Sequence, residues 1–222
     1  GYYNYDQGYK PDFPDESDFR GQIVHPQHWP EDLDYTGKKV VVIGSGATAI
    51  TLVPTMAEKA AHVTMLQRSP TYLMPLPSTD KLTLALQKIL PEKTAYRLTR
   101  ARNIAISRFL YQRSRKSPQF MRRLFLSIIK RKVGDTADMR HFTPDYNPWD
   151  QRLCVVKDGD LFQAMKAGKA AIATDHIDRF TETGIRLKSG EELAADIIIP
   201  ATGLDIQMLG GIRPTVDGEE VV

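Results

Sequence analysis

Gly44-Ser45-Gly46-Ala47-Thr48-Ala49 form a G-x-G-x-x-A turn, and the chemistry of that pattern is the binding of a pyrophosphate. The first glycine permits a tight turn and the second lets the backbone approach the anion. The small third residue lets the following helix pack on the preceding strand, with the helix N-terminus facing the negative charge. Context decides whether such a turn is functional or merely a glycine bend. Here "KKVVVIG", Lys38–Gly44, reads as a buried β-branched strand. "GATAITLVPTMAEKA" follows as a helix with Pro54 as an expected kink, and "HVTMLQR", His62–Arg68, is a second strand. Together they make a strand–turn–helix–strand unit of about thirty residues, the size of a βαβ crossover. At the end of the second strand an NAD site wants a carboxylate for the ribose 2′-hydroxyl. This chain has Gln67, Arg68 and Ser69 there. A carboxylate would repel a 2′-phosphate and a guanidinium can pair with it, so the expected cofactor is NADP(H). The expected contact set is Gly44, Ser45, Gly46, Ala47, Thr48, Ala49, Thr51, Gln67, Arg68 and Ser69. A solvated surface arginine is the plain alternative for Arg68.

The other chemistry-bearing residues are sparse. His25 and His28 have H-x-x-H spacing but no cysteine beside them, so a hydrogen-bonded pair in an ordered connection is expected and no metal site is assigned. Cys154 is the single cysteine. It excludes a disulfide or a dithiol mechanism within the chain and fits a reducing, cytoplasmic setting. No G-x-S-x-G elbow supports hydrolase chemistry.

The elements that must position these residues come from the wider pattern. With 222 residues, 41% hydrophobic and 26% charged, the chain has the composition of a soluble globular domain, one or a little more. No run approaches the length of a membrane span. Residues 1–35 read as an ordered connection rich in Pro, Asp, Tyr and His. A domain over 36–195 follows, interrupted by a helical block from about 80 to 134 that is broken at Pro91 and near Ser117–Pro118. In its last helix Phe120, Met121, Leu124, Phe125, Ile128 and Ile129 are expected on one face. Residues 81–132 hold fifteen Lys and Arg and one acid, Glu92. A solvated face, peripheral membrane contact and attraction of an anionic cofactor all suit that charge; no nucleic-acid recognition motif accompanies it. Residues 196–222 open with the apolar strand "DIIIP", Asp196–Pro200. A first residue that is not methionine and an end that falls inside a turn-and-strand pattern imply a piece of a longer protein.

Phe19-x-Gly21-x-x-x-His25-x-x-x-Trp29-Pro30 resembles, position by position, the F-x-G-x-x-x-H-x-x-x-W-P signature of Baeyer–Villiger monooxygenases. In that family the signature also lies just before the NADPH-binding strand. "GYYNYDQGY", "HPQHWPEDLDY", "VVIGSGATAITLVP", "TMLQRSPTY" and "YNPWDQRLC" are similar to the ethionamide-activating branch of the family. The resemblance covers essentially the whole chain. It implies an α/β, Rossmann-like three-layer NADP-binding domain with a helical insertion, part of a two-dinucleotide-binding flavoprotein. It also implies NADPH and FAD as cofactors, with FAD held largely by segments outside this chain, and O₂ with a ketone or sulfur-containing compound as substrates. The segment 1–35 would then be the linker from the FAD domain and 196–222 the return to it. The resemblance places at Arg152 the arginine that stabilises negative charge on the reacting oxygen, with Asp150 expected to orient it; a structural Asp–Arg pair is the plain alternative. Phe19 and Trp29 are expected to anchor the signature by burial, and His25 to change contacts as the domains move. An N- or S-oxygenating flavin monooxygenase, and a non-catalytic NADP-binding module with a membrane-contacting insert, stay open.

Overall fold

The computed structural model describes residues 2–220; Gly1, Val221 and Val222, the last two in the expected terminal strand, lie outside the described residues. In chain order the strands and helices are β1 Tyr3–Gly8, β2 Gln22–Ile23, β3 Lys39–Ile43, α1 Ala47–Met56, β4 His62–Gln67, β5 Tyr72–Leu76, α2 Lys81–Ile89, α3 Glu92–Lys116, α4 Pro118–Val133, β6 Leu153–Lys157, α5 Asp160–Lys166, β7 Ala170–Thr174, β8 Ile177–Thr181, β9 Gly184–Leu187, β10 Glu192–Ala194, β11 Ile197–Pro200, β12 Leu204–Ile206, β13 Thr215–Val216 and β14 Glu219–Glu220. They form two compact units, one of residues 1–68 and 172–222, the other of residues 69–171.

The first unit is built on a five-stranded sheet in the order β2-β11-β3-β4-β7. β3 lies parallel to β4, Ile43 level with Leu66, and parallel to β11, Val41 level with Ile198. Val40, Val41 and Val42 are at most 1% exposed, which is why this strand is a continuous β-branched run rather than an alternating one. α1 makes the crossover from β3 to β4. Pro54 lies in its last turn, and the helix stops two residues later at Met56, so the proline ends the helix rather than kinking a longer one. An antiparallel sheet β10-β9-β8 completes the core, in which Phe19, Val41, Leu66, Phe180, Ile185 and Ile198 pack together. Asp217 and Gly218, both with positive φ, turn the terminal β13–β14 hairpin.

Three boundaries differ from the sequence reading. Residues 1–35 are woven into the first unit: Phe13 stacks on Phe180 at 5.1 Å and β2 pairs with β11. β11, expected at the handover near residue 196, is an interior strand of the sheet. The helices of the expected 80–134 block sit inside a larger unit that also holds β5, β6 and α5.

In that second unit β5 and β6 pair in parallel, Tyr72 level with Leu153. The helical breaks fall at Leu90–Pro91 and Ser117, as the prolines require. The buried stripe of α4 is Met121, Phe125, Ile129 and Val133. Phe120 and Leu124, expected on the core face, are 49% and 37% exposed. The i, i+4 row from Met121 is the one that faces the partner surface, where Met121 and Phe125 pack with Tyr72.

Candidate functional site

The glycine turn is shaped by close approach on one side and open space on the other. Gly44 has φ 137°, and a Cβ there would lie 2.4 Å from the Ala201 carbonyl oxygen, so no other residue fits. Its amide donates to the Leu66 carbonyl at 2.8 Å, tying the turn to β4. Gly46 is the residue before α1, with extended backbone, and a Cβ there would meet nothing within 4 Å. That is the geometry the second glycine needs if a ligand, rather than the protein, is to lie against it. Ala49, in the first turn of α1, is fully buried, as the third small position requires. Ala47 and Thr48 are exposed on the first turn, where backbone amides have no intrahelical acceptor. Ser45 is buried in the turn, and the Thr51 hydroxyl donates back to the Ala47 carbonyl at 2.8 Å.

At the end of β4 the neighbouring residues diverge. Gln67 is 2% exposed and its Nε2 donates to Thr174 Oγ1 at 2.8 Å. It was expected to face a cofactor; its side chain instead braces β4 against β7, because its place on the strand turns it into the sheet. Arg68, one residue further, is exposed and makes no ion pair among the described residues. Ile43 is level with Leu66, so Gly44 and Arg68 both stand at the C-terminal edge of the parallel sheet, where ligands of open α/β sheets bind. Ser69 is exposed and opens the second unit.

The signature residues are also in the first unit. Phe19 is buried and meets the Phe180 ring edge-on at 6.4 Å. A Cβ on Gly21 would lie 2.4 Å from the Asp196 carbonyl oxygen and from the Phe19 ring, so glycine is obligatory there. Trp29 and Pro30 are only half-buried, less than the expected anchoring. His25 caps the short turn Pro26–His28, its Nδ1 accepting from the Gln27 amide at 3.2 Å, and its ring lies against Gly8. His25 Nε2 is buried short of a well-formed hydrogen bond. Burial lowers the pKa of the ring, and the Tyr9 backbone, the nearest polar group favouring the charged form, offsets part of that. His28 Nε2 lies 3.1 Å from the Asp6 carbonyl, so the two histidines serve different contacts.

Arg152 belongs to the second unit, exposed just before β6. Asp150, expected to orient it, pairs instead with Arg115 of α3 at 2.5 Å; α3 runs beside this loop and its guanidinium takes the carboxylate. The whole loop is held by helices. Arg122 Nη1 donates to the Tyr146 carbonyl at 3.1 Å, Gln119 to Asn147 Oδ1 at 3.2 Å, and Tyr111 meets the Trp149 ring edge-on at 5.7 Å. Trp149 has φ 72°, a costly conformation for a bulky residue that these contacts maintain. The Tyr146 hydroxyl donates to the Arg152 carbonyl at 3.3 Å. Beneath them Tyr72, fully buried, donates to the Tyr146 carbonyl at 2.8 Å and receives Arg122 Nη1 at 3.3 Å. Burial pushes the Tyr72 pKa up, and Arg122 opposes it. Arg122 is half-buried, and its neighbour Met121 marks the buried stripe that it borders. Cys154 is buried, its thiol pushed up by desolvation against the pull of Arg152, which suits a core residue and not a nucleophile.

The chain shares its fold with about half of several solved monooxygenases, among them a steroid monooxygenase bound to NADP. A solved complex of OTEMO with FAD and NADP matches 99% of this chain and 50% of its own, with a TM-score of 0.72 at 20% identity. The model of the family described as "FMO-like: Flavin-binding monooxygenase-like" matches residues 1–208, and the chain belongs to that family. The Acinetobacter baylyi protein named "Probable FAD-binding monooxygenase AlmA" is 60% identical over 220 residues, 99% of this chain and 44% of its own. The FAD-containing monooxygenase EthA of Mycolicibacterium smegmatis is 56% identical over 223 residues, 100% of this chain and 45% of its own. The chain thus spans about half the length of the curated relatives it matches.

Proposed function

We propose that this chain is the NADPH-binding part of a flavin-dependent monooxygenase that inserts one oxygen atom of O₂ into a ketone, or adds it to sulfur. The observation that carries the reading is the sheet edge that holds both the open Gly46 turn and Arg68, which makes no ion pair among the described residues. The turn fits a pyrophosphate, because a Cβ at Gly46 would meet no protein atom, and Arg68 fits a 2′-phosphate. When bound, NADPH supplies the electrons and FAD the means of activating O₂; the named FAD-containing relatives support the second cofactor. The work of this chain's own residues is positional and electrostatic. The first amides of α1 face the pyrophosphate, Gly44 holds the turn against β11, and Arg68 selects the phosphorylated ribose. Arg152 offers a permanently charged guanidinium on a braced loop, suited to stabilise negative charge on oxygen without transferring a proton. Titration with NADPH and NADH in the full-length protein tests the core of this reading. Arg68→Ala should weaken NADPH binding about tenfold or more, the worth of a charge-assisted hydrogen-bonded pair, and leave NADH nearly unchanged. Equal effects on both cofactors would remove Arg68 from the site.

A further inference from the structure

Neither the glycine turn nor Arg152 accounts for the solvent face of α2 and α3. α2 buries no residue, and α3 buries only Ala95 and Ser114 of its 25. Large apolar side chains stand in water along both: Ile89 is 80% exposed, Phe109 65%, Tyr96 61% and Leu82 52%. An amphipathic helix of a globular unit hides such residues. The stretch 81–132 containing these helices carries fifteen Lys and Arg against the lone Glu92. Along α3 the two kinds of residue are interleaved. At 100° per residue the exposed Ile104 and Tyr111 fall among Lys93, Arg97, Arg100, Arg108 and Arg115, and Leu98 and Phe109 stand beside Arg102, Arg113 and Lys116.

The combination narrows the partner. A merely solvated face has no use for exposed Ile, Leu and Phe. A nucleic-acid surface explains the cations but not the aliphatic residues. The surface of an anionic bilayer takes both, phosphates pairing with Arg and Lys while rings and aliphatic chains enter the headgroup–acyl boundary. Long basic stems can lie along that boundary with their heads in the phosphate layer. No helix among the described residues is long and apolar enough to cross a membrane, so α3 would lie on the surface. The helix pair is built in advance. Asp80 accepts from the Leu82 and Thr83 amides at the start of α2 and pairs with Arg102 of α3, which holds its carboxyl well below the usual range; Thr83 and Thr99 hydroxyls meet at 3.1 Å. Docking therefore needs little ordering of the chain.

We propose that α2 and α3 form a peripheral docking surface for an anionic membrane. The proposal stands independently of the cofactor reading. It is tested on the full-length protein by co-sedimentation with phosphatidylcholine vesicles, with and without phosphatidylglycerol. Binding should require the anionic lipid and fall with added salt. It should weaken roughly a hundredfold in the triple variant R97E/R100E/R108E. The milder Phe109→Ser, which keeps every charge, should weaken it several-fold, with circular dichroism and melting of each variant matching the wild type. Equal sedimentation with neutral and anionic vesicles, or none with either, overturns the proposal. So does a Phe109→Cys thiol that stays unreactive in the full-length protein, because the surface is then covered by the rest of the chain. Charge-dependent binding to RNA without vesicle binding would assign the surface to nucleic acid instead.

Discussion

At the scale of single residues, the sequence carried the turn further than it carried the arginine loop. Gly44, Gly46 and Ala49 sit where their types require, because each role follows from the absence or smallness of a side chain, which sequence states directly. Gln67 and Arg68 are adjacent letters with opposite fates, and only strand register turns one inward and leaves the other free. Asp150 shows the same limit: its nearest arginine in sequence is Arg152, but its partner in space is Arg115, 35 positions away. Arg152 is thereby left with its guanidinium unclaimed by Asp150, as a group meant for a ligand would be. In the full-length protein, Arg152→Ala should abolish oxygen insertion while NADPH oxidation continues, measured as product formed per NADPH consumed. Product formation at the wild-type ratio would reduce Arg152 to a surface residue.

At the scale of elements, α4 and β5 act as one brace for the loop that ends in Arg152. The helix breaks were legible from Pro91 and Pro118, and the amphipathic period of α4 from its apolar residues. The exact stripe was not, because Phe120 and Leu124 satisfy a helical pattern equally well and only the partner chooses between faces. Nor was Arg122 legible, since an arginine bordering a buried stripe looks like any other in a basic segment. Tyr72, Arg122 and the Tyr146 carbonyl form a part-buried hydrogen-bonded set. Arg122→Met keeps the stem's bulk and removes both donors, so it should cost about 1–3 kcal/mol of stability. Tyr72→Phe should cost about 1 kcal/mol. The two should couple by about 0.5 kcal/mol or more in a double-mutant cycle by chemical denaturation, as residues sharing one acceptor do. Strict additivity would mean that the loop is held without them.

At the scale of the whole chain, segments far apart in sequence close on each other within the first unit. β1 pairs antiparallel with β12, Tyr3 opposite Ile206 and Gly8 opposite Leu204, and the Thr202 hydroxyl donates to the Tyr9 carbonyl at 2.7 Å. Little in either segment announces this, because "YNYDQG" and "LDI" have weak strand patterns and pair through backbone groups. His25 lies against Gly8 of β1, where a Cβ would come within 2.1 Å of its ring, and its folded pKa is lowered from 6.5. Between the folded and unfolded pKa the unfolded chain binds more protons, so this contribution is complete above 6.5 and is lost as pH falls through the lowered folded value. Amide exchange of Tyr3–Gly8 should therefore accelerate as the pH drops below about 6 beyond its intrinsic chemical dependence, and His25→Gln should flatten that response. A flat protection factor in the wild type would show that the ring's charge is indifferent to the pairing.

The same pairing sets how the unit answers to force. Because Tyr3 and Ile206 stand opposite each other, a pull that separates them loads the ribbon at one end. Its hydrogen bonds then part singly, as a zipper does, instead of shearing together. Tension from any attached body would be relieved in β1 and β12 before it reached β3 and β11, and the glycine turn that rests on those two strands would keep its shape.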